Sequence, residues 1–253
     1  MELGLAGKAA LITGAVSGIG RACAYALAGE GVRLGLIDRD EDAGRLLESE
    51  LGACVPTRFV AADVTDEVAF SAAIGEIATG FGGLDAAVGC AGVSGQFGRD
   101  VDDVSAAEFN QVLHVNLTGQ FILARESARH LRFSGSPSLV FLGSDSSFVA
   151  APRMLAYNAS KGGLLQLTRA LAVDLAGDGI RVNCVCPSIV DTPLARDDLM
   201  ISSEELRRQD YPVQSPEQVA NHVLYLVSPA SYPVNGTSLV SDFGYLARSS
   251  FPA

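Results

Sequence analysis

Seven short apolar runs alternate with stretches of helical character along this 253-residue chain, and that alternation limits its folds more than any other feature. The runs are Lys8–Thr13, Arg33–Ile37, Arg58–Ala62, Leu84–Cys90, Leu139–Leu142, Ile180–Val185 and Thr237–Val240. Each has strand length and is nearly continuous in apolar character, so each needs cover on both faces. Helical patterns fill the gaps at about Ile19–Ala28, Glu41–Leu51, Asp66–Ala78, Ser105–Arg132, Tyr157–Leu175 and Pro216–Leu226. Thr65 or Asp66 is the expected cap of the third of these. The expected fold is α/β, a Rossmann-like doubly wound parallel sheet of about seven strands with helices on both faces. No linker, repeat or shift in composition divides residues 1–253, which reads as a single domain. The polar stretch Asp197–Asp210 interrupts the pattern as a helical insertion, and 192–214 is expected to be a mobile loop beside a substrate.

Charge removes several kinds of partner. Eighteen Lys and Arg oppose 29 Asp and Glu, a net charge of −11, which argues against nucleic acid and against an anionic membrane. No apolar run is long enough to span a bilayer. The first residues lack the basic and apolar regions of a signal peptide, so a cytoplasmic location is expected. Cys23, Cys54, Cys90, Cys184 and Cys186 are odd in number and show no CxxC spacing, which predicts reduced, buried thiols. Cys184 and Cys186 share one face of a strand, where core packing is the favoured reading. No metal site is expected. His114, His130 and His222 read as structural or exposed.

The first strand-to-helix crossover, Thr13-Gly14-Ala15-Val16-Ser17-Gly18-Ile19-Gly20, is glycine-rich. Residues without Cβ let backbone N–H groups approach a pyrophosphate at a helix N-terminus. The position of the cluster, rather than its glycine content, predicts a bound dinucleotide. Asp38 ends the second strand, where a carboxylate accepts the ribose hydroxyls of NAD and repels the 2′-phosphate of NADP. Arg39 beside it is able to hold that phosphate, but Asp38 occupies the strand end itself, so NAD is favoured. Asp63 ends the third strand and suits either an adenine amine or the turn before Thr65.

Tyr157 and Lys161 stand four residues apart on a predicted helix and so share one face. An ammonium beside a phenol favours the phenolate, and the Tyr157 pKa is expected to fall from about 10 towards working pH. Such a phenol exchanges a proton with an alcohol or ketone oxygen. Ser144 ends the fifth strand, at the edge where open α/β sheets bind ligands. Asn116 lies inside a helix, where Asn is a poor helix former.

These residues together resemble the short-chain dehydrogenase/reductase family from about Leu5 to Gly244. The matching marks are Thr13-Gly-x-x-x-Gly-Ile-Gly20, Asp63-Val64, Ala91-Gly92, Asn116, Ser144, Tyr157-x-x-x-Lys161, Asn183, and Pro187 with Thr192. The resemblance implies that Tyr157 moves the proton and that Lys161 tunes it and binds the nicotinamide ribose. It implies that Ser144 holds the substrate oxygen, while Asn116 kinks its helix and holds a relay water. Gly14, Ser17, Gly18, Ile19, Gly20, Asp38, Asp63, Val64, Ala91, Gly92, Pro187, Ile189 and Thr192 would join Tyr157 and Lys161 in contacting the cofactor. A homotetramer is also implied. Four positions depart from the family pattern: Gly89-Cys90 replaces Asn-Asn, Ser188 replaces the Gly after Pro187, and Phe243 replaces a Gly after Asp242.

The substrate pocket is expected from Val93–Phe97, Asp145–Leu155 and Val190–Tyr211, with Gln96 and Arg153 as polar candidates that read equally well as exposed, solvated side chains. The mostly apolar run Phe148–Leu155 predicts an apolar secondary alcohol or its ketone, cyclic or aromatic, as the small-molecule partner. A 3-oxoacyl-type carbonyl reductase and a non-catalytic dinucleotide-binding regulatory protein are the competing readings.

Overall fold

The computed structural model describes residues 2–248. Seven strands form one parallel sheet: β1 (Ala9–Thr13), β2 (Arg33–Asp38), β3 (Thr57–Ala61), β4 (Ala86–Gly89), β5 (Ser138–Leu142), β6 (Arg181–Pro187) and β7 (Ser238–Ser241). Their spatial order is β3-β2-β1-β4-β5-β6-β7. The chain winds outward from β1 to β3, then returns to the other side of β1 and winds outward again. The carboxyl ends of β1 and β4 therefore part at a switch point, where open α/β sheets form a ligand crevice.

Both faces are covered, as the continuous apolar strands require. Helices α1 (Gly18–Gly29), α2 (Glu41–Gly52) and α9 (Pro216–Val227) pack on one face, around Leu34, Leu36, Leu47 and Val223. Helices α3 (Glu67–Phe81), α5 (Gly119–Leu131) and α6 (Leu155–Asp174) pack on the other, around Phe70, Ile74, Leu123 and Phe141. Burying each of these large side chains stabilises the fold by about 1.5–3 kcal/mol. The side chain of Asp66 caps α3 by accepting from the backbone N–H groups of Val68 and Ala69.

One expectation changes. The continuous helix over Ser105–Arg132 is divided into α4 (Ala106–Leu113), a five-residue π turn (His114–Thr118) and α5. Asn116 sits in that turn, and π turns are frequent at functional sites. The polar segment after β6 forms two short helices, α7 (Pro193–Leu199) and α8 (Ser203–Arg207), separated at Met200 with φ 53°. The side chains of Thr192 and Ser202 cap them. Asp191 gathers Arg196, Arg207 and Ser203 around one carboxylate. Backbone pairing between Val190 and Gln214 closes the base of the insertion.

Four thiols are wholly or partly covered as expected, but Cys54 is exposed. It lies in the turn after α2, where no packed face follows. Cys184 and Cys186 lie 3.7 Å apart at sulfur and are fully buried.

Candidate active site

The first half of the crevice is made of backbone. A Cβ on Gly14 would come within 2.7 Å of the Ala91 nitrogen, and one on Gly20 would run into the Gly14 carbonyl oxygen. Gly18 has φ 48° and lies against Thr192. Only glycine permits that approach and that backbone together. No carboxylate lies in the first turn of α1, so its N–H groups and positive end remain available to an anion. The resulting cleft, about 270 Å³, is lined by Gly14, Ser17, Gly18, Ile19, Gly20, Asp38, Asp63, Val64, Ala91, Gly92 and Thr192, while Tyr157, Lys161, Pro187 and Ile189 lie outside it. A close-packed glycine cradle at a helix N-terminus, with a carboxylate at its far end, fits a dinucleotide.

The acidic residues in this cleft are already partly engaged. Asp38 accepts from the Val16 N–H at 3.3 Å and the Asp40 N–H at 3.2 Å, tying the glycine turn to the end of β2. Asp63 accepts from both the backbone N–H and the hydroxyl of Thr65. Those bonds hold its carboxyl below the usual range, with the Arg39 charge adding to them. The turn-capping role is thus the one made within the chain. Arg39 also lines the cleft.

The second half is made of side chains. Ser144, Tyr157, Lys161, Pro187 and Ile189 converge on a cleft of about 590 Å³, continuous with the first through Ile19, Cys90, Gly92 and Thr192. Lys161 is buried and donates to the Leu142 carbonyl at 2.7 Å, which holds it under the end of β5. Its Nζ stands 5.5 Å from the centre of the Tyr157 ring. Ser144 donates to Asp145 at 2.8 Å and accepts from the Ser146 N–H at 3.1 Å.

Lys161 does not bring the Tyr157 pKa down in this arrangement, contrary to expectation. Burial pushes Tyr157 up to about 12; the neighbouring Ser144 hydroxyl opposes this, and the charges of Asp145 and Asp198 reinforce it. Burial lowers Lys161. Desolvation thus outweighs the ion–phenol attraction in the free protein.

Asn116 lines neither cleft but lies directly behind them. Its Oδ1 accepts from the Val93 N–H and its Nδ2 donates to the Val93 carbonyl, both at 2.8 Å, and Nδ2 also donates to Ser160 at 3.0 Å. The π turn thereby clamps the loop after β4 to α6. A Cβ on Gly92 would lie 3.4 Å from Asn116 Oδ1 and 3.9 Å from Lys161 Nζ. Gly92 therefore keeps open the space between those two groups.

Several pocket expectations are corrected. Arg153 pairs with Asp100 at 3.0 Å on the surface, and neither it, Gln96 nor Phe148 lines the cleft. Ser94 and Asp198 do line it, joined by a 2.5 Å hydrogen bond between the loop after β4 and α7. Both belong to stretches expected to build the pocket, Val93–Phe97 and Val190–Tyr211.

A family model described as enoyl-(acyl carrier protein) reductase matches residues 14–246. The borneol dehydrogenase of Lavandula x intermedia is 36% identical over 242 residues, covering 95% of this chain and 91% of that one. The chain belongs to the short-chain dehydrogenase/reductase family. Solved members superpose closely. Levodione reductase gives a TM-score of 0.90 at 28% identity, over 97% of this chain and 100% of that one. A short-chain dehydrogenase from Burkholderia cenocepacia J2315, solved with NADP, gives 0.85 at 31% identity, over 94% and 97%. As a member of the family, the chain is an oxidoreductase of the alcohol dehydrogenase type with a dinucleotide-binding fold.

The departures from the family pattern are absorbed locally. Where the family has Asn, Cys90 forms a wall shared by the two clefts. The loop it would have fixed is held instead by Gln120, which donates to the Ala91 carbonyl at 2.8 Å. Ser188 keeps its backbone N–H on the Ser241 carbonyl at 3.0 Å. Phe243 adopts φ 54°, a left-handed conformation natural to the Gly it replaces, and its side chain is exposed. Among the described residues no His, Cys, Asp and Glu cluster suits a metal, and no helix is long and apolar enough to cross a membrane.

Proposed function

We propose that this protein is an NAD-dependent dehydrogenase that interconverts an apolar secondary alcohol and its ketone. The observation that carries the reading is the convergence of Ser144, Tyr157 and Lys161 on an open cleft continuous with the glycine cradle. A bound nicotinamide would supply the hydride acceptor or donor. Tyr157 transfers the proton to or from the substrate oxygen, and Ser144 donates a hydrogen bond to that oxygen. Lys161 lies beneath the phenol and is held in a fixed position by its bond to Leu142. Asn116 and Gly92 frame the space through which a proton is passed onward from Lys161. Asp38 favours NAD by charge repulsion of a 2′-phosphate.

The lining is chiefly apolar, with Val93, Phe97, Val149, Leu199 and Tyr211 among its members, which supports a cyclic or aromatic substrate. Acyl-carrier substrates, suggested by the description of the family model, carry a phosphate. Apart from Lys161, the charged side chains of this cleft are carboxylates. The insertion at 192–214, closed at its base by Val190 and Gln214, would open and close over the substrate. We also infer a homotetramer built through α5 and α6, where Phe121 and Val173 are exposed.

Tyr157→Phe tests the assignment, because it keeps the ring and removes the proton. A fall of about 10³-fold in kcat is expected, with dinucleotide binding unchanged in a fluorescence titration. Turnover near that of the wild type would sink the proposal.

A further inference from the structure

The polar groups of the substrate cleft are unevenly committed. Of its three carboxylates, Asp242 spends both oxygens on backbone N–H groups, those of Gly244 and Leu246. Asp145 caps the turn after β5, with one oxygen accepting from the Ser144 hydroxyl and the Ser146 N–H. Asp198 shares with Asp145 an oxygen that has no partner among the described residues, but unlike both it accepts from no backbone N–H there. Its only hydrogen-bond partner among the described residues is the Ser94 hydroxyl, which uses one of its two oxygens. No cation pairs with it there. It is brought from α7 to the wall of the cleft, on the same space as Tyr157, whose phenol feels its charge.

A half-buried carboxylate with one oxygen unspent is costly in an apolar cleft unless a donor meets it. Lys161 cannot serve, because it is tied to Leu142. A substrate donor can. We propose that Asp198 is a specificity-determining residue that accepts a hydrogen bond from a second donor on the substrate. The substrate class is then a secondary alcohol whose apolar frame carries a further hydroxyl or ammonium group, and a carboxylate at that end is rejected. Ser94 orients the carboxylate by holding its other oxygen. This rests on the dehydrogenase reading and narrows it.

Matched rings test it: cyclohexanol, and the same ring bearing at C4 a hydroxyl, an amino group or a carboxylate, each oxidised by the full-length protein with NAD and with NADP. The wild type should prefer the diol or the amino alcohol over cyclohexanol by about ten- to hundredfold in kcat/KM, mainly through KM, and should use the carboxylate least. The ammonium exceeding the hydroxyl would assign the contact to charge, and equal values would assign it to hydrogen bonding; either supports the proposal. Asp198→Leu should erase the preference while leaving cyclohexanol within about threefold, and Asp198→Asn should raise use of the carboxylate. A variant that loses cyclohexanol and diol turnover equally would give Asp198 a merely structural role and overturn the inference. So would a wild type that turns the rings over without preference. Turnover of none of the rings or of other secondary alcohols, with either cofactor, would instead strike the dehydrogenase reading itself.

Discussion

The two halves of the crevice are built from different materials. The dinucleotide half is mostly backbone, held by the absence of side chains at Gly14, Gly18 and Gly20 and by turns tied to Asp38 and Asp63. The substrate half is mostly side chains, brought from the loop after β4, the end of β5, α6 and α7. The glycine turn at the centre of the first half, Gly14 to Gly20, is local along the chain and tolerates little change, although the walls around it reach from Asp38 to Thr192. The second is assembled across more than 100 residues, as the bond between Ser94 and Asp198 illustrates, and each piece is separately replaceable. Binding of the dinucleotide should therefore be breakable without touching chemistry at the substrate, and the converse.

The largest effect should come from adding volume to the backbone half. In Gly20→Val the new side chain meets the Gly14 carbonyl oxygen at once, and Cys90 just beyond it. Overpacking of this kind costs about 1–3 kcal/mol, and here it also shifts the N–H groups that face the pyrophosphate. A loss of dinucleotide affinity of about a hundredfold or more is expected by fluorescence titration, together with a lower Tm. Affinity within threefold of the wild type would show that the turn moves freely, and the contrast between the two halves would fail.

A smaller effect should follow at Asp38, where the backbone half relies on one charge. Asp38→Asn keeps an oxygen for the Val16 N–H and removes the repulsion of a 2′-phosphate, with Arg39 still beside it. The ratio of kcat/KM for NADH over NADPH should fall by about tenfold. Turnover at saturating cofactor should hold within twofold. An unchanged ratio would move the choice of cofactor to Arg39 or elsewhere.

The same contrast decides what was legible in the sequence. Glycine spacing, strand ends and the Tyr157–Lys161 interval report local structure, so the sheet, the glycine turn and Asp38 at the edge of β2 were readable as residues in order. Asn116 was readable as a poor helix former, though not the five-residue π turn that its bonds to Val93 accompany. Asp198 was readable only as one member of the expected pocket stretch Val190–Tyr211, and its bond to Ser94 was not, because the two lie more than 100 residues apart until α7 brings them together. Arg153 read in the sequence either as a contact for a substrate carboxylate or as an exposed, solvated side chain, and its surface pair with Asp100 agrees with the second. The rise in the Tyr157 pKa was equally hidden, since spacing gives the neighbouring ammonium but not the burial or the two carboxylates.

That rise gives the smallest expected effect, on the pH dependence of ketone reduction. Tyr157 must donate its proton in that direction, and a phenol pushed up to about 12 stays protonated throughout the neutral range. The groups facing it do not reverse the sign. Asp145 and Asp198 raise the phenol further while ionised, and a Cys186 thiolate, itself favoured by hydrogen bonds from Cys184 and Ser147, would do the same. Lys161 is lowered by burial, but no phenolate forms in this range for it to stabilise. Reduction at saturating NADH should therefore change by less than about twofold between pH 7 and 9. Alcohol oxidation needs the phenolate and should climb with pH, by up to about tenfold per unit where proton removal limits the rate. The measurement is kcat in both directions on one alcohol–ketone pair. Reduction that falls tenfold by pH 9 would mean that Tyr157 titrates near neutrality once the dinucleotide is bound. In that event the bound cofactor, rather than the side chains of the substrate half alone, would set the proton affinity of the site.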